Sequence, residues 1–152
     1  MAPLIVQVVS TLVARWFVPW KDAARIGLAV MFLFTAASHF SSLKYDLAAM
    51  IPPPLTGALW VIYLTGVLEA AGAVGLLTRP FRRAAVWGLL ALLVAMFPAN
   101  VYAALTGLTL GGQSPTALWL RAPLQLFWIA VLWTSSLTPR GTNARSRPGV
   151  LP

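Results

Sequence analysis

The chain has 152 residues, 59% of them hydrophobic and only 9% charged, with a mean hydropathy of +0.81. A soluble domain carries about 25% charged residues, so there is too little polar surface for a water-soluble globule, and the composition predicts an integral membrane protein. The net charge of +8 does not signal nucleic-acid binding, because the basic residues flank apolar runs instead of clustering among stacking aromatics; the absence of cysteine excludes disulfides, thiolate metal sites and a dithiol relay within this chain.

In chain order, residues 1–24 are expected to form an amphipathic N-terminal segment. Between Leu4 and Phe17 the polar residues Gln7, Ser10, Thr11 and Arg15 recur at helical spacing and make one polar stripe on an apolar helix. The expectation is a helix lying in the membrane interface, ended by Pro19 and anchored by Trp16, Trp20 and Lys21. The alternative is a fifth span. No cleavable signal peptide is expected, since a basic leader and a small-residue cleavage site are both missing from this stretch.

Residues 25–138 are expected to form an all-α, four-span, up-down membrane bundle. Its apolar runs are Ile26–Leu43, Leu55–Leu77, Ala84–Thr106 and Thr116–Leu137, each near the roughly 20 residues that cross a bilayer. The first is short and is expected to extend back into Asp22–Arg25. Met50-Ile51-Pro52-Pro53-Pro54 breaks the first loop, Pro80 lies in the second among Arg79, Arg82 and Arg83, and Gly111, Gly112 and Pro115 break the third. Residues 139–152, rich in Arg, Gly, Ser and Pro, read as a disordered basic cytoplasmic tail. Nine basic residues (Arg15, Lys21, Arg25, Arg79, Arg82, Arg83, Arg140, Arg145 and Arg147) fall on one side of such a bundle. The positive-inside rule puts that side, and both termini, in the cytoplasm.

Few polar groups interrupt the spans, and each is a candidate for function because polar groups in lipid turn inward. Glu69 is the only glutamate, and it lies within the run Leu55–Leu77. At about 1.5 Å per residue, His39 falls roughly 6 Å, Arg121 roughly 8 Å, Asn100 roughly 9 Å, Gln125 roughly 14 Å and Glu69 roughly 20 Å from the outer ends of their spans. All five lie in the outer half or near the midplane, which predicts an outward-opening polar pocket capped by the Lys44–Pro54 and Gly107–Pro115 loops. Each has a structural alternative: Glu69 as a partner for Arg121 or simply protonated, His39 hydrogen-bonded to water or backbone, Arg121 snorkelling to the interface, and Asn100 and Gln125 as interhelical glue. No metal is expected. One histidine without cysteine cannot make the usual zinc, copper or haem sets, and His39, Glu69 and Asp46 are too few.

The segments Ala37-Ser38-His39-Phe40, Met50-Ile51-Pro52-Pro53, Tyr63-Leu64-Thr65-Gly66-Val67-Leu68-Glu69, Gly72-Ala73-Val74-Gly75-Leu76-Leu77, Phe97-Pro98-Ala99-Asn100 and Leu120-Arg121-Ala122-Pro123-Leu124-Gln125 resemble, in order and spacing, the DoxX-like family of small bacterial membrane proteins. The resemblance implies a four-helix bundle in the bacterial cytoplasmic membrane. It also implies association with oxidoreductase systems in some members and chaperone-like roles in distant ones. Cysteine-bearing relatives work with thiols, which this chain cannot do by itself.

Three functional expectations follow. The first is a redox-associated membrane subunit whose pocket takes a quinone or another small apolar carbonyl compound. Asn100, Arg121 and Gln125 would bind the carbonyl oxygen, while His39 and Glu69 act as catalytic proton carriers. The chain has no evident intrinsic cofactor, so electrons would come from a partner redox protein. The second is a non-enzymatic accessory or assembly chaperone. The third is a proton-transfer enzyme of isomerase type using the same two residues. The lipid bilayer is the expected surrounding, and a homo-oligomer stays open.

Overall fold

A computed structural model describes residues 2–112 and 117–137. The expected basic tail and the stretch around Pro115 lie outside the described residues. Among the described residues the chain is entirely helical, with six helices and no strands: α1 (Ala2–Arg15), α2 (Trp20–Phe40), α3 (Lys44–Ala49), α4 (Leu59–Leu77), α5 (Arg82–Thr106) and α6 (Leu118–Ser136).

The helices start and stop where the local chemistry requires. Pro19 precedes α2, which therefore begins at Trp20 and absorbs Asp22–Arg25, as expected. The second apolar run begins four residues before its helix does. Residues 52–58 form turns in which Gly57 takes a positive φ of 80°, and α4 starts only at Leu59. At the other end of α4 the Thr78 hydroxyl donates to the Val74 carbonyl at 2.8 Å, and Pro80 follows. Gly107, at a φ of 66°, terminates α5 in the left-handed conformation that costs a glycine least. Helix α3 was not expected; it lies in the segment read as a loop.

Helix α2 packs on α4, α4 on α5, α5 on α6, and α6 returns against α2. Helices α2, α4 and α5 are long and apolar enough to cross a membrane. The fourth expected span does not join them among the described residues. Helix α6 is 19 residues long but carries Arg121, Gln125 and three tryptophans, which lower its hydropathy.

The packed core occupies one half of the helix lengths. Leu28, Met31, Phe32, Leu76, Val86, Leu89 and Leu132 are almost wholly buried there. This half ends at Arg25, which is only 5% exposed and therefore not the surface charge expected from its place beside an apolar run. It pairs with Asp22 one turn away and donates to the Ser135 carbonyl at the end of α6. The outer surface is apolar: Leu33, Phe34, Leu64, Val67, Val74, Val94, Leu126 and Phe127 are exposed. Exposed aromatics gather near both ends, with Trp16, Trp20, Phe81 and Trp87 at the Arg25 end and Phe40, Tyr45, Trp60 and Trp119 at the other. Such paired girdles mark the two interfaces of a bilayer.

Helix α1 places the middle of its polar stripe against α2 and leaves Arg15 exposed. It packs lengthwise on α2 with Gln7 only 3% exposed, while Ile5, Val8, Val9, Leu12 and Val13 face outward. Gly27 of α2 makes the approach possible, because a Cβ there would run into Thr11 and the Gln7 backbone. A helix lying in the interface turns its polar face to headgroups; this one turns it to α2.

Candidate functional site

The half of the molecule away from Arg25 holds the polar residues and two adjoining cavities. His39, in the last turn of α2, is 3% exposed and packs against α4 at Gly66. A Cβ on Gly66 would come within 2.6 Å of the His39 Cβ, so only glycine lets the imidazole lie against the α4 backbone. The ring Nδ1 is 2.9 Å from the Ile62 carbonyl oxygen and 3.0 Å from the Thr65 hydroxyl. A carbonyl oxygen only accepts, so Nδ1 carries a proton and donates to it.

The other ring nitrogen, Nε2, faces the Glu69 carboxyl, with 3.7 Å between Nε2 and Oε2. Glu69 is midway along α4 and 5% exposed. Its Cα–Cβ bond tilts toward the helix start, as in any α-helix, and so the side chain reaches back one turn to the level of His39. This reach, together with the start of α4 at Leu59 instead of Leu55, narrows the difference in depth expected from residue counting. The separation is longer than a hydrogen bond, and Glu69 Oε2 has no hydrogen-bond partner among the described residues. With Nδ1–H committed to Ile62, a neutral ring would present a lone pair to a carboxylate. A proton on Nε2 or on the carboxyl makes this approach attractive. The neutral pair and the ion pair contain the same number of protons, so the two residues form a unit that can pass one.

Asn100 and Arg121 meet at the ends of α5 and α6, where Arg121 Nη1 donates to Asn100 Oδ1 at 3.1 Å. Gln125, one turn further along α6, donates from Nε2 to the Leu93 carbonyl at 2.9 Å. Pro98 lies inside α5 little more than one turn further on, so the bond ties α6 to α5 beside the proline. The alternative pairing of Glu69 with Arg121 is thereby corrected: the carboxyl is paired with the α2 histidine, and the guanidinium bonds the α5 amide.

The first cavity, of about 400 Å³, is walled by His39 and Thr65 on one side, Ala95 to Asn100 on another, and Leu47 with residues 50–55 above. The second, of about 260 Å³, is walled by Arg121, Gln125, Trp128 and Asn100, and by Pro3 and Leu4 from the start of α1. Asn100, Leu47 and Met50 border both. Helix α3 and the proline segment cover this end of the molecule, and the Gly111 amide donates to Asp46 Oδ2 at 2.8 Å, joining the α5–α6 loop to α3. Among the described residues no three His, Asp or Glu side chains cluster as metal ligands. Four of the five predicted residues thus fall into two pairs, Glu69 with His39 and Arg121 with Asn100, and Gln125 stands beside the second. Sequence reasoning missed Thr65 as a cavity residue, although Trp128 follows Arg121 and Gln125 on one face of α6; only the glycine at position 66 hinted at a close approach.

A family model described as domain of unknown function (DUF8561) matches residues 28–137. The chain belongs to this family. All five predicted residues lie inside the DUF8561 match, whereas α1 and the buried Arg25 precede it. No curated protein and no solved structure matches the chain.

Proposed function

We propose that this DUF8561 protein is a redox-associated subunit of the bacterial cytoplasmic membrane that binds a quinone, or a similar small apolar carbonyl compound, in the cavity beside His39. The observation that carries the reading is His39, which borders that apolar cavity and has the Glu69 carboxyl 3.7 Å from its Nε2. An apolar pocket with a few convergent polar groups suits a flat carbonyl ligand. Reduction of a quinone to its hydroquinone takes two electrons and two protons. The electrons come from an external donor protein, and the protons pass singly through His39, refilled from Glu69. Asn100, held by Arg121, is the hydrogen-bonding group on the opposite wall, and Gln125 supports it through α5.

The same reading treats α6 as a fourth span, with α2, α4, α5 and α6 as an up-down bundle and both termini cytoplasmic. The return of α6 against α2 favours the bundle. Among the described residues, Arg15, Lys21, Arg79, Arg82 and Arg83 near the Arg25 end favour the orientation. The DoxX-like resemblance of the His39, Glu69, Asn100 and Arg121 segments favours the redox association.

A specific observation supports a second reading, a non-enzymatic accessory subunit: the polar groups of Asn100 and Gln125 are engaged in joining helices. Native mass spectrometry of gently purified protein separates the two. A quinone that accompanies the wild type and is lost from folded His39→Asn and Glu69→Gln supports the first. Bulk lipid alone in all three sinks it and leaves the accessory role.

A further inference from the structure

Helices α4 and α5 carry between them an apolar groove of about 1080 Å³, away from the polar pairs. Among the described residues, Ala95 alone borders both this groove and the cavity beside His39. Gly72 and Gly75 bring the two helices together, since a Cβ on either would run into Leu89 or Ala85. Gly88 acts differently. It is exposed, and a Cβ on it would meet nothing within 4 Å, so its missing side chain leaves room in the groove. Thr78 is the one polar side chain among the described residues of the walls, and its hydroxyl donates to the Val74 carbonyl. Along α4 the walls run from Thr78 to Val67, a rise of about 16 Å at 1.5 Å per residue. One leaflet contributes about 15 Å of a roughly 30 Å hydrocarbon core. The groove therefore has the depth of an acyl chain and falls short of a spanning helix.

At the Thr78 end the groove is flanked in the chain by Arg79 and Arg83, both exposed. Arg82, between them and the α5 backbone, donates from Nε to the Leu76 carbonyl at 3.1 Å. The chain has only three acidic side chains. Asp22 pairs with Arg25, Glu69 faces His39, and Asp46 accepts from the Gly111 amide at the opposite end of the molecule. No acidic side chain of the protein is thus left to neutralise Arg79 and Arg83. Two cations at the mouth of an uncharged groove match a ligand that is anionic at one end and hydrocarbon beyond it.

We propose that this groove holds one acyl chain of an anionic phospholipid whose phosphodiester is bound by Arg79 and Arg83. Phosphate oxygens accept from guanidinium groups in the paired geometry that arginine favours, and basic side chains at a membrane surface select anionic lipids. A choline headgroup would cancel the phosphate charge, whereas glycerol leaves it. The proposal stands on the groove and its two arginines, independently of the proton chemistry of His39 and Glu69.

The test is native mass spectrometry of the full chain in detergent, titrated with phosphatidylglycerol and with phosphatidylcholine of the same acyl chains. The first phosphatidylglycerol is expected to bind about tenfold more tightly than phosphatidylcholine. The double variant Arg79→Gln/Arg83→Gln should bring the two lipids within about twofold of each other. Arg15→Gln removes an exposed charge from the same end of the molecule and should change the preference by less than about twofold. Gly88→Leu fills the groove where a Cβ has open space and should weaken both lipids about fivefold. The arginine variants change exposed side chains, so they decide the matter even if Gly88→Leu fails to fold. Equal binding of the two lipids by the wild type, an unchanged preference in the double variant, or an equal loss in Arg15→Gln overturns the proposal. Unchanged affinity in folded Gly88→Leu also overturns it. A wild-type dimer that Gly88→Leu abolishes, with no lipid preference, gives the groove to a second copy of the chain instead.

Discussion

The two halves of this protein bury ionisable groups in opposite ways. In the Arg25 half the guanidinium has a carboxylate one turn away and a carbonyl on the closing helix, among tightly packed Leu, Met and Phe side chains. In the His39 half, the Glu69 carboxyl stands 3.7 Å from His39, which borders a cavity, and Glu69 Oε2 and the Trp128 N–H have no hydrogen bond, as is also true of Gln7 Oε1 and Thr11 Oγ1 on α1. Buried polar groups are costly unless satisfied. A charge held by close partners in a dry core acts as a lock between helices, whereas unsatisfied groups at cavity walls are what a ligand or a proton can use.

Mutations should separate the halves. The largest loss of stability is expected from Arg25→Ala, about 3 kcal/mol, since it removes one partner of a buried pair; thermal unfolding in detergent measures it, and a loss no larger than that of Glu69→Gln would break the contrast. Gly66→Ala should cost about 1–3 kcal/mol by overpacking against His39 and should reduce decylubiquinone binding by more than its stability loss explains. A stability loss with unchanged ligand binding would detach His39 from the cavity's function. Gln125→Ala should cost about 1 kcal/mol, the worth of its bond to Leu93, read from the same unfolding curves. Glu69→Gln is nearly isosteric and should shift stability by less than about 1 kcal/mol, because Oε2 is without a hydrogen bond and the amide oxygen can still accept from Thr35. A much larger shift would make Glu69 a structural residue like Arg25.

Helix α1 shows where one-dimensional reasoning stops. The spacing of Gln7, Ser10, Thr11 and Arg15 correctly marks a polar face, but periodicity does not say what that face meets. Gly27 on α2 opens a groove for it, so Gln7 is buried and Thr11 partly so, while Arg15 and much of the apolar side are exposed. Arg25 illustrates the same limit. Its position beside an apolar run reads as a surface charge, but Asp22 one turn earlier and Ser135, distant in sequence, make its burial tolerable. The polar residues of the site were legible singly, because each stands out in an apolar run. Their pairing was not, since depth counted along separate helices ignores how far a side chain reaches and in which direction.

What the sequence determined by itself is helicity, the apolar character of the long segments and the few residues that break it, because these follow from local composition, proline and glycine placement and hydrophobic length. What only the tertiary structure decided is that Glu69 meets His39, that Arg121 meets Asn100, and that α1 turns its polar face inward. Those outcomes depend on how closely two helices approach. That approach is set by single small residues such as Gly66 and Gly27, whose effect exists only when a second helix is present to fill the space they leave.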